Sequence, residues 1–262
     1  MPATSILTTM TTPEPTSGLY RLFAWLSPAF PVGGFSYSHG LEAAAADGIV
    51  DDRASLQHWI AAIVARGSGR VDADIFRDAY RAALAGDDSA FAVVNRRGIA
   101  YRGTAELALE SGGQGVAFLA AIRAAWPDAF LAEPAPHLPI AGAMGPTLSR
   151  IAGEGAERSE AGEGICHAAI VGAAAARVGV GLADAMTLYL QSFAANLMSA
   201  GLRLGLVGQT DGQRILAALE PVIAGATAAA LARDAADFGG AGFAADLASM
   251  AHETQYSRLF RS

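Results

Sequence analysis

Along almost the whole chain, apolar residues recur at the spacing of one helical face. Nowhere do they alternate with polar residues for long enough to make a strand bounded by hairpin turns. Leu19, Leu22, Phe23 and Leu26 fall at i, i+3, i+4 and i+7. Leu56, Trp59, Ile60 and Ile63 follow a candidate cap at Asp51 or Asp52, and Ile75, Phe76, Ala79, Tyr80 and Ala83 repeat the spacing. Asp87-Asp88 is a second capping signal. Thr104 to Trp126 reads as helical but is interrupted by Ser111-Gly112-Gly113-Gln114-Gly115, which predicts a break or a close helix–helix contact. His167 to Gly179 and Leu182 to Leu206 are apolar nearly all round, as buried helices are. A further helix, capped by Thr210 or Asp211, is expected from Gln213 to Phe238 with a kink at Pro221, and a last one starts at Phe243.

This pattern predicts an all-α, single-domain bundle of about nine to eleven helices. Residues 1–18, rich in Thr, Pro and Ser, read as a disordered tail ahead of a domain over 19–254. Within it, residues 134–164 hold four prolines and a Gly/Glu-rich end, and are expected to form a mobile loop. Residues 255–262 read as a mobile C-terminal tail.

Charge and composition remove several function classes. The net charge of −7 opposes generic nucleic-acid binding. All 18 basic residues are arginine, so there is no P-loop lysine and no Schiff-base lysine. One cysteine, Cys166, excludes an internal disulfide and suggests a reducing, cytoplasmic compartment. No run reaches the roughly 18 consecutive apolar residues of a membrane span.

The most elaborate local feature is SPAFPVGGFSYSHGLE, Ser27 to Glu42. Pro28 and Pro31 stop the preceding helix, Gly33-Gly34 permits a tight turn or a close backbone approach, and Ser36 or Ser38 offers a cap for the next helix. A hydrolase could start from Ser36, Ser38 and His39, but the Gly-x-Ser-x-Gly elbow between strand and helix is missing. Cys166-His167 could start a metal site, but neighbours on a helix point about 100° apart. His39, His167 and His252 could meet only through the fold. Gly205 to Gly212 has the glycines of a phosphate loop without its lysine. The residues alone lead to an all-α protein with no visible catalytic constellation, no metal site and no cofactor site, which favours a binding or scaffold role.

Three stretches carry a resemblance: LFAWLSPAFPVGGFSYSHGLE at Leu22 to Glu42, LYLQSFAANLMSAGLRLGLVGQTDGQRIL at Leu188 to Leu216, and HETQYSRLFRS at His252 to Ser262. Their sequence and order resemble the UreF family of urease accessory proteins. The segment at 134–164 looks longer than the family usually carries. The resemblance implies an all-α, cytoplasmic, homodimeric protein that is not an enzyme. It also implies binding of a UreD/UreH-type accessory protein, recruitment of a UreG-type GTPase, and GTP-coupled nickel insertion into apo-urease. The same resemblance implies a regulator's role toward the GTPase, and no membrane or nucleic-acid partner. On this basis Tyr256, Leu259 and Phe260 are candidate anchors of a partner-binding tail, with Arg258 and Arg261 as its charges. Arg258 is expected to dock near the loop from Pro31 to Tyr37, and Gly33, Gly34, Phe35 and Tyr37 to form part of a dimer or GTPase surface.

Overall fold

The computed structural model describes residues 15–127 and 164–261. Among these residues there are ten α-helices and no strand. The expected 134–164 loop falls almost wholly outside them, as does most of the N-terminal tail. The chain is helical from Pro15, however, so the last part of that tail belongs to the first helix.

The helices are α1 (Pro15–Trp25), α2 (Leu41–Ala46), α3 (Arg53–Arg66), α4 (Ser68–Ala85), α5 (Asp88–Ala100), α6 (Ala105–Ala125), α7 (His167–Arg177), α8 (Leu182–Arg203), α9 (Gln209–Ala232) and α10 (Phe243–His252). Their starts follow the capping chemistry where the side chain can reach. Asp52 and Ser55 form a reciprocal capping box on α3. Asp87 caps α5 and Thr104 caps α6. The expected cap at Thr210 or Asp211 is displaced: α9 starts behind Gly208 with no side-chain cap. It also ends six residues earlier than expected, at Ala232. Arg77 Nη1 donates to the carbonyls of Ala230 and Arg233, satisfying the helix end, while Arg233 pairs with Asp74.

α4 packs along α7 more extensively than any other two helices pack. Small residues set the distance: a Cβ on Gly172 would lie 2.5 Å from the Phe76 carbonyl oxygen. α7 has Ala or Gly at most positions and is buried from Ala168 to Ala176. Around this pair lie α6, α8, α9 and α3, closing a core that includes Leu56, Ile60, Phe76, Phe118, Ile170 and Leu190. Trp25, Phe30, Phe118 and Trp126 make an aromatic cluster that seats α1 on α6, with Trp25 edge-to-face on Phe118 and Trp126 and Phe30 tilted against the same two rings.

Two expectations are modified by packing. α1 turns Leu22 and Trp25 inward and leaves Leu19 and Phe23 exposed, so its buried stripe is narrower than the periodicity suggests. α6 runs unbroken through its glycines. The reason is close contact: a Cβ on Gly115 would sit 1.9 Å from the Ile165 carbonyl oxygen.

Candidate functional site

The run from Ser27 to Glu42 folds as a corner between α1 and α2. Gly33 takes φ +73°, a short 3-10 turn spans Gly34–Ser36, and Tyr37 is extended. Gly34 lies against Asn196 of α8, where an added Cβ would be 3.1 Å from its amide nitrogen. His39 takes φ +52°, unusual for a residue with a side chain. Gly40 follows at φ +74° with α10 pressed against it. Ser38 Oγ accepts the Glu42 N–H, so one of the two candidate serines does serve the start of α2, although the N-cap itself is Gly40.

The far end of the chain closes onto this corner. After α10, residues 253–261 turn back across α2. The Leu259 N–H donates to Glu42 Oε1 at 2.6 Å and the Phe260 N–H to Glu42 Oε2 at 2.9 Å. Next along, the Arg261 N–H donates to the Ser36 carbonyl at 2.8 Å. Phe260 is buried beneath the guanidinium of Arg203, 4.3 Å from its ring centre. The tail read as mobile from sequence is therefore seated on the body.

Two buried polar centres lie below. In the first, His252 is wholly buried between Glu42 Oε2 at 3.0 Å and Glu106 Oε2 at 2.8 Å, and Arg258 Nη1 donates to Glu106 Oε1 at 2.8 Å. The two glutamates sit in the first turns of α2 and α6, where the helix dipole favours negative charge. Burial pushes the Glu42 carboxyl up, but the Leu259 amide, His252 and the Phe260 amide outweigh it and hold it below the usual carboxylate range.

The second centre is a cavity of about 50 Å³ lined by His39, Asp72, Arg102, Glu110, His167 and Tyr189, among others. His39 Nε2 lies 3.0 Å from Glu110 Oε1, and Nδ1 3.3 Å from Ser68 Oγ. Burial pushes its pKa down, but the Glu110 carboxylate reverses this and raises it. For His167 burial wins: it takes the pKa down to about 4, with Arg102 adding to the fall and the Asp72 carboxylate only partly offsetting it. Arg102 pairs with Asp72 at 2.8 Å and donates to Cys166 Sγ. Tyr37 closes one side of the cavity; burial and the Glu110 charge raise its pKa against the pull of Arg261.

These placements settle several sequence readings. The Arg258 guanidinium pairs with Glu106, and Arg261 is the tail arginine whose N–H meets the Pro31–Tyr37 loop, at Ser36. The pairing a Ser36–His39 hydrolase would need is not the one His39 makes. His39 and His167 share the cavity, whereas His252 belongs to the glutamate pair. Cys166 points at Arg102 and Ser111. Among the described residues no group of three or more His, Cys, Asp or Glu is arranged to hold a metal ion.

Of the nominated surface residues, Phe35 and Leu259 are each 63% exposed and Tyr256 is fully so, while Pro31 is exposed on the same corner. Gly34 and Tyr37 are buried and shape the corner from beneath, and Gly33 is half-buried at its turn. Phe260 is an internal anchor. Phe243, Leu247 and Met250 of α10 are exposed as well. Sequence reasoning missed Glu42, Glu106 and His252 as the residues that join the two ends. Glu42 and His252 stood inside the quoted motifs, but nothing in a linear pattern pairs residues 210 positions apart.

The UreF family model matches residues 50–220. Both end motifs lie outside that span, but full-length relatives cover them. The urease accessory protein UreF of Azorhizobium caulinodans is 42% identical over 256 residues, covering 98% of this chain and all of that protein. That of Rhodopseudomonas palustris strain HaA2 is 43% identical, covering 95% of each. Urease accessory protein UreF 1 of Brucella suis biovar 1 is 42% identical over 98% of this chain and all of its own length. The match to the family model and the full-length likeness together show that the chain belongs to the UreF family of urease accessory proteins.

Proposed function

We propose that this chain is a non-catalytic, cytoplasmic adaptor in urease maturation. It forms a homodimer and binds a UreD/UreH-type accessory protein. It recruits a UreG-type GTPase, and the assembly couples GTP hydrolysis to insertion of nickel into apo-urease. Nickel is cargo in this reading.

The observation that carries it is the meeting of the two end motifs. Each motif contributes exposed aromatic or aliphatic side chains, Phe35 from the corner and Tyr256 and Leu259 from the tail, and the main chain of the tail meets the corner motif at Ser36 and Glu42. Exposed aromatic anchors beside Arg258 and Arg261 are the composition of a protein-binding surface. α10 adds a further exposed apolar stripe of Phe243, Leu247 and Met250. The lack of lysine fits an assembly in which the nucleotide-hydrolysing chain is separate.

Co-purification of tagged full-length chain with the UreD-type and UreG-type proteins tests this, against a chain ending at Gln255. Loss of both partners with helicity retained is the expected result. Capture of both by the truncated chain would move the interface elsewhere, and failure at full length would reject the adaptor reading.

A further inference from the structure

The charges that line the inner cavity do not balance. Asp72 of α4 and Glu110 of α6 share it with one guanidinium, that of Arg102. Asp72 is accounted for: Arg102 lies 2.8 Å from its Oδ1, and Tyr189 Oη donates to its Oδ2 at 3.0 Å. Glu110 is left with the surplus negative charge. Its Oε1 accepts from Gln114 Nε2 at 2.9 Å and faces His39 Nε2 at 3.0 Å. Its Oε2 is buried and has no hydrogen-bond partner among the described residues. A carboxylate oxygen shut away from water without a donor is costly. His167, also on the cavity wall, packs against the rings of Phe118 and Tyr189.

The proton of His39 is one counter-charge to Glu110. Around that imidazole stand Glu110 and Ser68 within hydrogen-bond distance, the ring of Phe193 at 5.0 Å, and the charges of Asp72, Arg102 and Asp246. Once the proton leaves, the cavity carries one net negative charge. We propose that the cavity is a binding site for one compact monocation of the ammonium class, which balances Glu110 when His39 is neutral. A water-sized particle needs about 10–15 Å³ of such space, so a cavity of about 50 Å³ admits ammonium with water beside it. The lining selects the class. Ammonium has N–H donors in four directions, which can meet Glu110 Oε2 and the acceptor nitrogen of a neutral imidazole. Tyr37, Tyr189 and Phe193 add rings that favour a cation. A hard metal ion takes about six to eight oxygens instead. Arg102 and Leu107 line both this cavity and an outer cleft of about 370 Å³, so one layer of side chains separates the site from solvent.

The test is a histidine titration of the full chain by NMR between pH 5.5 and 8.5. It is run in ammonium chloride and in tetramethylammonium chloride of equal ionic strength, the second cation being too bulky and without N–H donors. Ammonium competes with the His39 proton, so it should lower the His39 midpoint. Above half-saturation, each tenfold rise in ammonium should lower it by about one pH unit. The exposed ring of His58 is the reference that neither salt should move. Glu110→Gln keeps the shape, removes the charge and should abolish the ammonium dependence. A direct reading on the unsubstituted chain guards against a variant that fails to fold: the protons of bound 15N-ammonium should show nuclear Overhauser contacts to the Tyr189 and Phe193 rings.

An identical His39 midpoint in the two salts, with no such contacts, overturns the proposal. So does an ammonium effect that persists undiminished in a folded Glu110→Gln chain. A shift of equal size in potassium chloride overturns the ammonium class, because a bare charge would then suffice. A shift given by nickel chloride and not by ammonium overturns it in favour of a divalent site.

Discussion

Glycine at two neighbouring positions of the corner shows how residue-scale demands differ. Gly33 and Gly40 both hold positive φ, but only Gly40 is enclosed. A Cβ there would lie 2.5 Å from the Ser249 nitrogen and 2.9 Å from the Ala248 carbonyl carbon, both main-chain atoms that cannot step aside. Gly33 has open space around it. Gly33→Ala therefore carries the left-handed strain alone, about 1–2 kcal/mol. Gly40→Ala adds displacement of α10 and should cost more than about 3 kcal/mol. Urea unfolding of the two variants checks the order, and equal costs would contradict the close approach. Phe260 is the corresponding anchor in the tail. Phe260→Ala should free residues 255–261 to protease with little change in the main unfolding transition, because the contact it loses is to Arg203 and the corner rather than to the α4–α7 centre.

At the scale of elements, most of the fold was legible in the sequence. Caps at Asp52, Asp87 and Thr104 sit where short polar side chains precede apolar periodicity, since that chemistry is local. The misplaced cap and early end of α9 were not legible, because Arg77 terminates the helix from more than 150 positions away in the chain. The same limit hid the buried His252 centre: Glu42, Glu106 and His252 are ordinary residues of separate segments until folding makes them neighbours. The glycines of α6 were legible only as a choice between break and contact, and single substitutions separate the two. Gly112 has open space, so Gly112→Ala should stabilise by about 0.5–1 kcal/mol through helix propensity. Gly115→Ala should destabilise by several times that amount, since the strand of chain entering α7 is already at 1.9 Å from the added carbon. Thermal unfolding of both variants is sufficient, and two stabilising substitutions would show that α6 and the entry to α7 are not in close contact.

For the whole molecule, the two cavity histidines bend stability in opposite directions with pH. His39 is raised above its ordinary value of about 6.5 by Glu110, so its contribution is complete below that pH and is lost as pH rises through the folded value. His167 is lowered to about 4 by burial. Between pH 6.5 and 4 the unfolded chain takes up a proton there that the folded chain refuses, so stability falls as the solution is acidified. Over the full interval this amounts to at most about 3 kcal/mol. Glu42 adds to the acid side: its carboxyl is held low in the fold, so its contribution stands above the ordinary carboxylate value and is lost as pH falls through the folded one. The two cavity histidines therefore favour maximum stability near pH 6.5, with a loss on either side. His167→Gln removes the titration without adding a charge, and should flatten the limb between pH 6.5 and 4.5 while leaving the alkaline side unchanged. His39→Gln should do the reverse. Unfolding free energies of the three chains at pH 4.5, 6.5 and 8 distinguish these outcomes. An acid limb unaltered in His167→Gln would mean that carboxylates such as Glu42, and not the buried imidazole, set the acid sensitivity of the fold.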